Sequence, residues 1–149
     1  MVKRVCCALF ALIIVFAVVP AANAVDMDQT VIRFPDGSYL VSEVMPAVTR
    51  TSGRISGSKP YTYYDANGRS QWEITLRGTF SYTGSSAVCT DASVSITIYN
   101  NAWYTISKNT KKEGDSAIGT VTMGGRVTGS VSTVPVSLRL TCDANGNLS

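Results

Sequence analysis

Asp-Ala-Asn-Gly occurs twice in the chain, at Asp65–Gly68 and at Asp143–Gly146. Two oxygen-bearing side chains beside a glycine can open a calcium loop or form an ordinary tight turn. An EF-type loop needs oxygen ligands at its first, third and fifth places, glycine at the sixth and glutamate at the twelfth. Counted from Asp65, the last three of these places hold Arg69, Ser70 and Leu76, which excludes that loop. The second copy reaches Ser149 before any distal glutamate. Asp at the first place and Gly at the fourth fit a type I turn, with a small residue and Asn between them. The first copy is expected to close a hairpin between "YTYY" and "SQWEITL". The second follows the last strand pattern and is expected to fold the tail back without a hairpin partner.

Other chemistries thin out quickly. The sequence contains no histidine, which removes the commonest general base, the commonest metal ligand and the Ser-His triads. The three or four ligands that zinc needs are missing, and no glycine-rich loop opens a helix over a phosphate. The reading is therefore no metal and no cofactor. A carboxylate pair could still hydrolyse a glycoside. The glutamates available are Glu43, Glu73 and Glu113. Glu73 sits beside Thr75 and Arg77 on the wet face of a strand, and Glu113 lies in "KNTKKEGDS", a solvated hairpin end. Aromatic side chains are the other candidates. Tyr61, Tyr63 and Tyr64 precede the first turn, and Tyr99, Trp103 and Tyr104 flank Asn100-Asn101. Aromatic faces beside amides can hold sugar rings, so Tyr61, Tyr63, Tyr64, Trp103 and Tyr104 form the candidate ligand platform. At a period of two, half of them belong to the core instead.

The elements that must position these groups begin after a targeting segment. Lys3 and Arg4, the uncharged run Val5–Pro20 and the small-x-small Ala22-Asn23-Ala24 read as a signal peptide over residues 1–24, cut after Ala24. The alternative is an uncleaved anchor, although the run is short for a membrane span. Cys6 and Cys7 open the apolar run and are not placed like a lipidated cysteine. Residues 25–149 then form one domain of ordinary size. Without Lys3 and Arg4 the charge is nearly balanced, and no dense basic patch points to nucleic acid. The even pair Cys89 and Cys142, in an exported chain, reads as a disulfide closing a loop of about 54 residues, with two reduced buried thiols as the alternative.

Period two runs through almost the whole remainder. In "QWEITLRGTFSYTG", Trp72, Ile74, Leu76, Phe80 and Tyr82 take one face, and Glu73, Thr75, Arg77, Thr79 and Ser81 the other. Gly78, on the apolar side, marks a bend or a close approach. Val94, Ile96 and Ile98 form a second inward set. "AWYTISK" could bury either Trp103 or Tyr104 and Ile106. Val136, Leu138, Leu140 and Cys142 share one inward phase. Cys89 has the opposite parity to Val94, so a bulge is expected near Asp91. "TRTSGRISGSKP" is rich in Ser, Gly and charge and reads as a loop. Val, Thr, Ile and Tyr dominate the periodic stretches, as strands prefer. The pattern predicts an all-β fold, an antiparallel β-sandwich (Ig-like or related) of about seven to eight strands with one disulfide.

Three stretches carry a resemblance. "WEITLRGTFSYTGSSAVCT", Trp72–Thr90, resembles a segment of small exported proteins of gut-type Gram-positive bacteria. "LRLTCDANGNLS", Leu138–Ser149, is similar to their shared terminus, and "GSYLV", Gly37–Val41, to the start of their mature region. The family has no assigned activity. The resemblance implies secretion and a paired Cys89 and Cys142, and it carries over no catalytic residue.

The expectation is thus a secreted, non-enzymatic protein that binds an extracellular ligand: a glycan, a wall component or a protein. Two alternatives stand beside it, a structural protein that associates through sheet edges and a carboxylate-dependent hydrolase using Glu43 and Glu73.

Overall fold

A computed structural model describes residues 29–45, 50–51, 53–127 and 130–149. The expected signal segment, residues 1–24, and the expected domain start at Val25 lie outside the described residues. Those described form strands β1 (Gln29–Arg33), β2 (Tyr39–Glu43), β3 (Arg50–Thr51), β4 (Arg54–Tyr64), β5 (Ser70–Tyr82), β6 (Ala87–Ile98), β7 (Trp103–Glu113), β8 (Ser116–Val127) and β9 (Ser130–Thr141). All pairings are antiparallel. One sheet has the order β1-β2-β4-β5-β6, with β3 added to β4, and the other has the order β7-β8-β9. Every long strand pairs with its neighbour in sequence. This meander differs from the expected Ig-like arrangement, whose Greek key pairs strands distant in sequence.

The two sheets share one core, because the period-two pattern turns an apolar face of each inward. Trp72, Ile74, Leu76 and Phe80 of β5 are fully buried, as are Met123 of β8 and Leu138 and Leu140 of β9. Tyr63 stacks on Trp72 with ring centres 4.9 Å apart, and Trp103 meets both rings edge-on at 5.2 and 6.0 Å. Trp103 is therefore the inward residue of β7, while Tyr104 and Ile106 point out. Ile98 has the inward phase but lies at the end of β6 and stays exposed.

The bulge near Asp91 is present. Thr79 pairs with Asp91 and Phe80 with Cys89, leaving Thr90 as the extra residue that restores the parity of β6. Gly78 is a close approach: a Cβ built on it would lie 2.7 Å from the Phe80 ring and 3.1 Å from the Ala117 methyl.

Two expectations need correction. Arg54–Pro60 is the first half of β4 rather than a loop. Its Ser and Gly have weak strand preference, but the segment pairs without a break with Thr75–Ser81 of β5, Gly57 opposite Gly78. Leu148 fills the space over Gly57 that a side chain would otherwise occupy. Ladder bonds and a packed neighbour outweigh propensity here. The second Asp-Ala-Asn-Gly, in turn, closes a hairpin of its own. Thr141 and Ser149 exchange two backbone hydrogen bonds of 2.9 and 3.0 Å, and Cys142 bridges to Leu148.

Both copies then have one geometry. The N–H of Asp65 donates to Arg69 O (3.0 Å) and that of Gly68 to Asp65 O (3.0 Å); Asp143, Asn147 and Gly146 repeat this at 2.9 and 3.1 Å. Each Asp Oδ1 accepts the N–H groups two and four residues on, at 2.8–2.9 Å. Gly68 and Gly146 take φ of 76° and 83°, the left-handed conformation required to finish a three-residue hairpin loop. The carboxylates that resembled calcium ligands are used by their own loops.

Cys89 and Cys142 come from different sheets and meet at one turn. The Cys89 N–H donates to Gly114 O (2.7 Å) and the Cys142 N–H to Asp115 O (3.0 Å), the consecutive carbonyls between β7 and β8. Both residues are buried. Among the described residues, however, no disulfide is formed. Each sulfur instead lies near a carbonyl of its own strand end, Cys89 Sγ 3.2 Å from Asp91 O and Cys142 Sγ 3.4 Å from Asp143 O.

Candidate functional site

The odd-numbered residues of β5 face away from the core, and β4 and β2 flank them in register. Thr62 stands opposite Glu73, and Tyr39 opposite Tyr64. This outer face forms an open groove of about 410 Å³ lined by Glu43, Thr62, Tyr64, Glu73, Thr75 and Arg77, among others. Its size is in the range of small-ligand sites.

Glu73 is the fixed centre of the groove. Its Oε1 accepts the Thr75 hydroxyl at 3.1 Å, and its Oε2 accepts those of Tyr99 (3.4 Å) and Thr62 (3.5 Å). Burial, together with the negative charge of Glu73, raises the pKa of the Tyr99 phenol above its usual value. The phenol therefore stays a donor at neutral pH. Beside this cluster, Tyr64 stacks on Tyr39 with ring centres 4.9 Å apart and planes 14° from parallel. The Arg33 guanidinium lies 5.5 Å from the centre of the Tyr39 ring. The face thus combines flat aromatic surface, hydroxyls, an anion and the exposed cation Arg77.

The five aromatics of the expected platform do not converge. Tyr61, Tyr63 and Trp103 are in the core, where their rings pack between the sheets. Burial raises the pKa of Tyr61 and of Tyr63. Tyr61 bonds to the Arg139 backbone and the Ser42 hydroxyl, and Tyr63 donates to Ser38 Oγ at 2.8 Å. Tyr64 belongs to the groove. Tyr104 lies on the other sheet, where its ring covers Gly124: a Cβ there would come within 2.6 Å of the ring. Tyr39, Arg33 and Tyr99 border the groove through the Tyr39–Tyr64 stack, the Arg33–Tyr39 contact and the Tyr99–Glu73 hydrogen bond. Tyr39 and Arg33 went unnoticed in the sequence because only the β1–β2–β4 register brings them beside Tyr64.

The groove does bring Glu43 and Glu73 to one face. Register places them on non-neighbouring strands and two positions apart along them, a backbone separation of roughly 12 Å from strand spacing. With both Glu73 oxygens engaged, the arrangement is that of an anchored hydrogen-bond acceptor. Glu113 is remote from it, at the end of β7, paired with Lys111 at 2.7 Å. Among the described residues, no three His, Cys, Asp or Glu side chains gather as a metal site would require.

The chain matches no protein-family model, no curated protein and no solved structure.

Proposed function

We propose that this protein is a secreted, non-enzymatic β-sandwich that binds a glycan across the outer face of its larger sheet. One observation carries the reading: Glu73, held by Thr62, Thr75 and Tyr99, lies in an open groove beside the Tyr39–Tyr64 stack. Sugars present hydroxyls at their edges and apolar C–H faces, and this face offers a counterpart to each. Export is supported by the n-region, apolar run and small-x-small site of residues 1–24, and by the resemblance to small exported proteins of Gram-positive bacteria. In an oxidising compartment Cys89 and Cys142, at adjacent carbonyls of one turn, close a bridge between the two sheets.

The test is retention of the purified protein on polysaccharide gels and cell-wall glycans, compared with Tyr64→Ala and Glu73→Gln. Retention by the parent that falls about tenfold or more in both variants supports the reading, since each removes a stack or a charged hydrogen bond. Parent and variants migrating alike on every glycan refutes it. Binding to a protein through the same residues would move the reading to a protein ligand.

A second reading rests on β1. All five of its residues are exposed, including Val31 and Ile32 at 46% and 49%, and it forms one edge of the larger sheet. Such an edge can pair with another chain. A strict monomer by light scattering at millimolar concentration would exclude association there.

A further inference from the structure

Among the described residues, strand edges without a neighbour belong to β1 and β6 at the ends of the larger sheet, to β3 beside β4, and to β7 and β9 at the ends of the smaller sheet. Open edges invite pairing with another chain, and all of these but one carry a block. β3 is only two residues long. β6 is bulged at Thr90 and covered there: its Cys89 N–H donates to Gly114 O (2.7 Å), and its Thr90 O accepts Lys112 Nζ (3.1 Å). β7 turns Lys108 and Lys112 to the core side, opposite buried Val121 and Ala117, and its register shifts at Ile106. β9 carries Pro135, which has no N–H to give. β1 has no proline, no bulge and no inward charge, and all five of its residues are exposed.

The backbone of β1 is oriented for a partner. The Phe34 N–H donates to Ser38 O (2.9 Å), and the pairing with β2 runs without a shift from Arg33–Tyr39 to Gln29–Glu43. By the alternation of an antiparallel ladder, Thr30 and Ile32 spend their N–H and C=O groups on β2, and Gln29, Val31 and Arg33 turn theirs to the open edge. We propose that a second copy of this chain pairs there, β1 against β1 antiparallel, with Val31 on the two-fold axis, Gln29 opposite the second copy's Arg33, and Thr30 opposite its Ile32. The proposal rests on the reading of β1 as an association edge and assigns its partner and register. A two-fold axis makes the interface self-complementary, so facing residues share one parity. Among such registers this one alone pairs all five residues of both strands, and it satisfies every outward backbone group of Gln29, Val31 and Arg33. Charge is complementary as well. Glu43 flanks Gln29 on β2, so the second copy's Arg33 arrives two strands from Glu43, roughly 10 Å between backbones and within reach of two long side chains. Neither Glu43 nor Arg33 has an ion-pair partner among the described residues. Gln29 and Glu43 line the outer groove, so each copy brings a cation to the end of the other's groove, and the two grooves share one continuous face. Two five-residue strands bury less than the roughly 1,200 Å² of a standard interface, which makes the dimer a weak one.

Sedimentation velocity of the purified protein, from micromolar to millimolar concentration, tests it. The expected result is a monomer–dimer equilibrium without larger species, because the pairing uses up the β1 edge of both copies. Val31→Pro removes an outward N–H from each copy and leaves the β2 ladder intact. It should weaken dimerisation by about tenfold or more at an unchanged melting temperature. Should that variant melt lower, Val31→Lys, which sets like charges on the axis, takes its place. Register is read by oxidising a mixture of Thr30→Cys and Ile32→Cys proteins. These positions face each other as a non-hydrogen-bonded pair, about 4.5 Å between Cα atoms, and should form a mixed disulfide that neither protein gives alone. A strict monomer at millimolar concentration overturns the proposal and the edge reading together, as does a dimer indifferent to both Val31 substitutions. Disulfides that join only two Thr30→Cys chains or only two Ile32→Cys chains put the edge in another register, which overturns the proposal and leaves the edge reading standing.

Discussion

Gly78 offers a quantitative test of the way the two sheets meet. A methyl at this position would lie 2.7 Å from two ring carbons of Phe80 and 3.1 Å from the Ala117 methyl. Carbon atoms prefer separations of about 3.5–4.0 Å, so the ring must retreat by nearly 1 Å. Phe80 and Ala117 are both fully buried, and the ring has no solvent side to move toward. Overpacking of this kind costs about 1–3 kcal/mol. Gly→Ala also restricts the unfolded chain, which offsets about 0.4–1 kcal/mol. Gly78→Ala should therefore destabilise the fold by about 1–2 kcal/mol. With a urea m-value of about 1.5 kcal/mol/M, the midpoint falls by roughly 1 M at unchanged m. The decisive comparison repeats the substitution in a Phe80→Leu background, where the two offending ring atoms are gone. There the added cost should drop below about 0.5 kcal/mol, a coupling within the range seen for touching residues. Equal cost in both backgrounds, or none in either, would refute the account of Gly78 as a seat for the Phe80 ring.

If Cys89 and Cys142 are oxidised, Cys142→Ser lowers the stability by up to about 4 kcal/mol, the entropy of a loop of about 54 residues; alkylation before and after reduction, read by mass, reports the bond directly. Tyr61 and Tyr63 have raised pKa values because burial disfavours the phenolate. A raised folded pKa means stability that is complete below the unfolded value, near 10, and lost as pH climbs through the folded one. Absorbance titration should show these two ionising late and together with unfolding; early, reversible titration of every tyrosine would contradict it. Asp65→Ala and Asp143→Ala each remove an acceptor of two loop N–H groups and should cost about 1 kcal/mol, while millimolar calcium leaves the parent's melting temperature unchanged.

The match between sequence and structure follows the range of the interactions involved. Which residues of β5 face inward is a local matter, since a strand alternates sides by its own geometry, and Trp72, Ile74, Leu76 and Phe80 all obey it. The bulge at Thr90 was also legible, because parity either side of Asp91 cannot be reconciled without an extra residue. The turn chemistry of Asp65–Gly68 lies within a few residues and needs no partner to be recognised.

What the sequence by itself determined is therefore the all-β class, the inward and outward faces of its strongest strands and the lack of histidine chemistry. Only the tertiary structure decided which strands neighbour each other, and most of the site depends on that. Arg54–Pro60 becomes a strand because β5 offers it a ladder, and the tail becomes a hairpin arm because Leu148 finds the hollow over Gly57. Tyr63 and Tyr64 are adjacent in the chain and equally aromatic. One is sealed between Trp72 and Trp103, and the other lines an open groove. Alternation assigns each to a side of its strand, but exposure depends on whether a second sheet covers that side, and that is set by contacts between residues far apart in the sequence.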